Sequence, residues 1–249
     1  MRVLIVGEVP FVDALAGLCR AKNHKVDLFL SQDLEDQETL DAMVKAATRA
    51  QIAIESLNES QSAKMWLVEG IEANIPPDTP MLVSALAASA TEIASWAEYP
   101  NRVVGYGLLP PVVTAGLVEF APALQTDFDS ATRARRFWEE LGFEVVRVPD
   151  TLGLVRARIV CNLVNEAVYT LAASGNSVED IDTAMRLGMN FPRGPLSWAD
   201  EIGLDVVAGV LDGLLRTYGD ERYRPAPLLR QKIYAGQVGK KSGKGFYTY

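Results

Sequence analysis

Short apolar runs alternate with amphipathic helical spacings as far as residue 148, and then the runs stop. That switch constrains the fold more than any other feature of the chain. Residues 2–6 (RVLIV) form an apolar run closed by Gly7, and from Pro10 to Arg20 the residues Val12, Leu15, Ala16 and Cys19 recur on one helical face. The unit then recurs. Strand-like runs at Val26–Leu30, Ile52–Ile54, Met81–Val83, Val103–Val104 and Glu144–Val148 are separated by helical patterns at Thr39–Ala47, Ala63–Ala73 and Ser130–Leu141. Strands alternating with helices imply a parallel sheet covered on both faces.

Beyond Pro149 the period changes to that of helices alone. Val155, Ile159, Leu163, Ala167 and Leu171 stand four apart, the spacing that lines one face of a helix. Ser177 precedes Glu179 and Asp180 as a helix start, Gly188 and Gly203 close helical runs, and prolines at 192, 195, 225 and 227 punctuate the rest. The expected architecture is an α/β Rossmann-like N-terminal domain over residues 1–148 and an all-α C-terminal domain over 149–249. With 49% hydrophobic residues in 249, the chain can bury a core in each.

Charge and composition exclude several functions. A net charge of -8 is the wrong sign for a nucleic-acid surface. No apolar stretch reaches the ~20 residues of a membrane span, and MRVLIVGEV reads as a strand, not a leader, so a cytoplasmic location is expected. Cys19 and Cys161 lie in apolar helical patterns and are expected as packing residues, with no metal site. His24 is the sole histidine, which leaves one candidate for any histidine-based proton transfer. It precedes the second strand, far from the carboxyl edge where such sheets bind ligands, so a structural role is expected. Trp66, Trp96, Trp138 and Trp198 each sit in an amphipathic segment and are expected in the core.

Gly7 stands where a dinucleotide fingerprint places its first glycine, but Val9 and Val12 occupy the other two glycine positions. A Cβ at the second position keeps the backbone from a diphosphate, and a branched side chain at the third holds the helix off the strand. Pro10 removes a backbone donor, and Leu30 and Ser31 stand where an acidic ribose ligand would end the second strand.

The C-terminal region carries an ordered set of motifs: Glu179-Asp-Ile-Asp-Thr-Ala-Met-Arg-Leu-Gly188, Pro192-Arg-Gly-Pro195, Asp200-Glu-Ile-Gly-Leu-Asp205 and Gly239-Lys-Lys-Ser-Gly-Lys-Gly-Phe-Tyr247. Together these resemble the C-terminal domain of 3-hydroxyacyl-CoA dehydrogenases. The stretch Tyr218 to Pro225 with Leu228-Leu-Arg-Gln231 is similar to the second, degenerate half of duplicated bacterial 3-hydroxybutyryl-CoA dehydrogenases. In the N-terminal half, Glu55 with Glu59 and Lys64 resembles the family's third-strand segment, and Arg102 to Glu119 resembles its active-site segment.

The resemblance implies NAD bound by the first domain, through Gly7, Glu55 and Lys64, and dimerisation through the second. It also implies losses. Gly107-Leu-Leu-Pro-Pro111 stands where the family carries His-Phe-Phe-Asn-Pro, so Gly107 takes the place of the general base, while Glu119 matches the glutamate that orients it. The family's substrate-contacting serine falls on Leu86 or Ala87, its asparagines on Ser84 and Ala157, and the segment 31–50 is short where relatives insert a hairpin that helps hold CoA.

Three functions stay open. The chain is a non-catalytic homologue that partners itself or an active paralogue in acyl-CoA, fatty-acid or aromatic-acid metabolism. Alternatively, it is an NAD-dependent 3-hydroxybutyryl-CoA dehydrogenase with a different base, Tyr106 or Glu119 being the candidates. Or it is an acyl-CoA or anion-binding module near Lys64 or Arg156.

Overall fold

The computed structural model describes every residue except Glu59, Thr114 and Ala115, together with all other side chains save that of Ser174. The chain divides into two compact units, Met1–Leu108 with Val112–Leu154, and Leu109–Pro111 with Val155–Tyr249.

The first unit runs β1 (Arg2–Gly7), α1 (Phe11–Ala21), β2 (Lys25–Leu30), α2 (Gln37–Ala47), β3 (Ile52–Ser56), α3 (Gln61–Glu72), β4 (Met81–Ser84), α4 (Ala90–Ala94), β5 (Val103–Gly107), β6 (Leu117–Pro122), α5 (Phe128–Glu140) and β7 (Glu144–Arg147). The strands form one sheet in the order β2-β1-β3-β4-β5-β6-β7. Strands β3, β4 and β5 are buried along their whole length, which is why they read as continuous apolar runs. Side chains alternate between two cores. Leu4, Val6, Ala53, Met81 and Val83 pack with Leu67, Val68 and Ile71 of α3 on one face; Val3, Ile5, Ile54, Leu82 and Val104 pack with Leu15 and Cys19 of α1 and Phe137 and Trp138 of α5 on the other.

Two expectations need correction. The sheet is parallel except at β5 and β6, which pair antiparallel with Gly107 opposite Glu119. The stretch from Leu108 to Gly116 is too short for the crossover that a parallel pair requires. Among the tryptophans, Trp138 is fully buried but Trp66 is 50% exposed, so Trp66 is not a core residue. It lies on α3 beside Leu67 and Val68, which turn inward in its place.

The second unit contains α6 (Arg156–Ser174), α7 (Val178–Thr183), α8 (Pro195–Ile202), α9 (Leu204–Tyr218) and α10 (Pro227–Tyr234). Helix α7 starts with a reciprocal capping box, Ser177 accepting from the Asp180 backbone and Asp180 accepting from that of Ser177. Helix α6 packs on α8 and α9 through Ala157, Val160, Cys161, Val164 and Val168. The stripe read from the sequence, five residues spaced four apart, therefore borders the buried face, which it joins only at Ala167. Val155 is 48% and Ile159 62% exposed.

Polar side chains tie this unit together. Asn165 donates to the Arg224 carbonyl at 2.9 Å and accepts from the Ala226 N–H at 2.8 Å. Arg158 lies over the Tyr218 and Tyr223 rings, 4.5 and 5.5 Å from their centroids. Buried Asp182 accepts from the N–H groups of Leu196 and Ser197, at 2.8 and 2.9 Å, and so caps α8. Asp200 accepts from the Phe246 and Tyr247 N–H groups, both at 2.8 Å. A Cβ on Gly239 would meet the Asp200 backbone carbonyl and one on Gly245 its carboxylate, so the glycine-lysine run near residue 240 is a clasp that closes around Asp200.

Candidate functional site

In an open α/β sheet, ligands bind at the carboxyl ends of the strands, where the strand order reverses. Here that point is the crevice between β1 and β3, since β1 is followed outward by β2 on one side and by β3 and β4 on the other. The carboxyl ends gather Glu8, Glu55, Ser56, Asn58, Lys64, Ser84, Tyr106 and Glu119, all buried.

Gly7 ends β1 with φ 156° opposite Ser56, and a Cβ there would lie 2.6 Å from the Ser56 carbonyl carbon and oxygen. Close packing of β1 against β3 therefore accounts for this glycine without any ligand. Glu55 and Lys64 are turned on each other: Lys64 Nζ donates to Glu55 Oε2 at 2.5 Å and to the Leu57 carbonyl at 2.8 Å, and Glu55 Oε1 accepts from the Leu57 N–H at 2.6 Å. The pair is 0% and 1% exposed. Burial pushes the Glu55 carboxyl above its ordinary range and the Lys64 ammonium below its own, each opposed by the other's charge. Glu59 lies outside the described residues.

Sequence reasoning passed over the two side chains that bridge the crevice. Glu8 Oε1 accepts from the backbone N–H of Asn58 at 2.7 Å and from its Nδ2 at 3.2 Å. Ser84 Oγ donates to Asn58 Oδ1 at 2.6 Å. The available signal was an acidic residue directly after Gly7, in the turn that a dinucleotide's diphosphate would approach.

Gly107 and Glu119 are brought together by the β5–β6 register. A Cβ on Gly107 would sit 3.2 Å from Glu119 Oε2 but 2.6 Å from Leu154 Cδ1. Leu154, buried and held at φ 48°, thus occupies the start of the space that a larger residue at 107 would use. Tyr106 donates to the Glu55 carbonyl at 3.0 Å and is fully buried, which pushes its phenol far above the ordinary range and keeps it protonated. Leu86 is buried, and Ala157 is a fully buried residue of α6 in the other unit. His24 packs against the Phe137 ring, with Glu140 3.6 Å from its Nε2, ahead of β2 and away from the carboxyl edge. No cluster of potential metal ligands occurs among the described residues.

Residues 20–151 match the model of the 3-hydroxyacyl-CoA dehydrogenase NAD binding domain, and residues 153–249 match that of the 3-hydroxyacyl-CoA dehydrogenase C-terminal domain. The chain belongs to the 3-hydroxyacyl-CoA dehydrogenase family. The NAD-domain match starts after β1 and its turn, the part that departs most from the fingerprint. Within this family, a probable 3-hydroxybutyryl-CoA dehydrogenase of Bacillus subtilis is 36% identical over 95% of this chain and 85% of its own length. One from Deinococcus radiodurans is 34% identical over 80% of this chain and 71% of its own. FadB2 of M. tuberculosis superposes with a TM-score of 0.81 at 27% identity, covering 100% of this chain and 98% of that one. The (S)-3-hydroxybutyryl-CoA dehydrogenase of Ralstonia eutropha gives a TM-score of 0.76 at the same identity and coverage. No helix among the described residues is long and apolar enough to cross a membrane.

Proposed function

We propose that this chain is a non-catalytic member of the 3-hydroxyacyl-CoA dehydrogenase family that acts as a partner subunit in acyl-CoA metabolism, of fatty acids or aromatic acids. The observation that carries this reading is the pair Gly107 and Glu119. A carboxylate faces the position where the family places its general base, and that position holds a glycine beside a filled space. Proton transfer by a positioned base contributes ~10²- to 10⁴-fold, and nothing in the surrounding set replaces it: Tyr106 is committed to a carbonyl and Lys64 to Glu55. The residues of the nucleotide turn do not fit NAD either. Gly7 is used in strand packing, Val12 is buried in the core, and Glu8 spans the crevice.

The names of the Bacillus and Deinococcus relatives favour a second reading, an active NAD-dependent 3-hydroxybutyryl-CoA dehydrogenase. NADH-dependent reduction of acetoacetyl-CoA, followed by absorbance at high protein concentration, separates the two. The expected result is no turnover above background, and none from Gly107→His, because the imidazole would have to displace Leu154 and because Val9, Val12 and Ala157 remain. Turnover proportional to wild-type protein would establish the dehydrogenase.

The partner surface assigned here is the outer face of α6, its partner being a second copy of the chain or an active paralogue. Val155, Ile159 and Leu163 present an apolar stripe to solvent, continuous with a groove of about 460 Å³ lined by Leu163, Ala167, Ile181, Met185 and Pro195. Ile159→Asp is expected to keep the circular dichroism spectrum and to reduce the sedimentation coefficient to that of a monomer. A wild-type protein that is already monomeric and binds no family member would remove this assignment.

A further inference from the structure

The crevice between β1 and β3 is closed by the protein itself. The Glu8 backbone N–H donates to the Ser56 carbonyl at 3.2 Å, and its carboxylate takes both Asn58 donors. Asn58 is in turn held by Ser84 at the end of β4. Three successive strand ends are thereby tied together through one buried carboxylate.

We propose that Glu8 is the resident anion of the switch-point crevice, and that its carboxylate is what excludes a dinucleotide diphosphate from this member of the family. The proposal rests on the non-catalytic reading and deepens it. Donors at a strand-to-helix turn are where such folds collect phosphate oxygens. Here an acceptor attached to the same chain already occupies the Asn58 donors and needs no association entropy to stay there. A diphosphate entering the crevice would have to displace that carboxylate, leaving Glu8 buried, unpaired from Asn58 and close to a like charge, which is how a site rejects the wrong ligand. The Glu8 charge also favours the ammonium form of Lys64, so one side chain serves the internal balance of charge and closes the crevice. The interaction spans residues 8 and 58, while Val9 and Val12 act only on close approach of the backbone. Substituting Glu8 should therefore restore weak binding without restoring turnover.

The test is calorimetric titration of NADH, and separately of ADP-ribose, into wild type, Glu8→Ser and Glu8→Gln. Serine removes the charge and the reach of the carboxylate to Asn58. Glutamine keeps the shape and one acceptor for Asn58, and so carries the test should the serine variant fold poorly. Both variants are expected to bind NADH at least ~tenfold more tightly than wild type, serine more than glutamine. ADP-ribose should gain by the same factor, because the effect lies at the diphosphate. Folded variants that bind neither ligand better than wild type would overturn the role of Glu8, while the non-catalytic reading would still stand or fall on the acetoacetyl-CoA assay. Micromolar NADH binding by wild type would also overturn it, and turnover in that assay would then reject both.

Discussion

Lys64→Met is expected to destabilise the first unit by about 3–5 kcal/mol in urea unfolding at neutral pH, the cost of removing one partner of a buried ion pair. The size follows from what is left behind. Glu55 is fully buried and would keep only backbone N–H donors, those of Leu57 and Ser84, with no cation beside it, while the Leu57 carbonyl would lose the Lys64 ammonium. The double variant Glu55→Gln with Lys64→Met should recover most of the loss, since a neutral amide beside a thioether strands no charge. The pH dependence has a definite sign. Without Lys64 the folded-state pKa of Glu55 rises further above its ordinary value of 4.5. Below that value the carboxyl is protonated whether the chain is folded or not, and no penalty applies. As pH rises through it, the unfolded chain ionises more readily than the folded one, and stability is lost. The Lys64→Met deficit should therefore grow from pH 4 to pH 7, and a deficit that is flat or shrinks over that range would show that Glu55 is not the stranded group.

Asp200→Ala should cost the second unit about 2–4 kcal/mol, from two charge-assisted hydrogen bonds to half-buried backbone donors and the cavity left inside the clasp. Phe246 and Tyr247 would lose their acceptor, and the Tyr249 hydroxyl, 3.3 Å from Asp200 Oδ2, would lose its own. Burial raises the Asp200 pKa while the Tyr247 and Phe246 N–H groups oppose the rise, so the carboxylate depends on its clasp as the clasp does on it. Thermal unfolding measures the loss, and limited proteolysis should release the C-terminal residues of the variant before any other segment. Asp200→Asn should fall between, because the amide oxygen can serve one N–H while its NH₂ opposes the other. An Asp200→Ala protein as stable and protease-resistant as wild type would mean that the clasp is held by its glycine-rich backbone alone.

The family motifs were legible before the structure because they are local chemistry in a fixed order. Their reasons were not. The glycines at 239 and 245 read as a signature, yet what demands them is Asp200 of α8, its backbone carbonyl against Gly239 and its carboxylate against Gly245. Gly7 looked like the remnant of a nucleotide turn; Ser56 on the neighbouring strand is sufficient to require it. The helix over 156–174 was plain from its spacing, but the stripe counted in the sequence turned out to border the buried face. Apolar residues cover both sides there, and spacing alone does not say which side meets α8 and α9.

Local pattern by itself determined the alternation of strands and helices, the change to helices after residue 149, and the Ser177 cap. Each of these depends on residues within a few positions of one another, where backbone geometry and hydrogen bonding act directly. Only the tertiary structure decided the antiparallel turn of β6, the exposure of Trp66, the mutual burial of Glu55 and Lys64, and the Glu8–Asn58 bridge. The physical reason is that the free energy of a buried charge or a close backbone contact is set by its neighbours in space. For Glu8 those neighbours are supplied by β3 and β4, strands that the chain reaches only after β2 and α2.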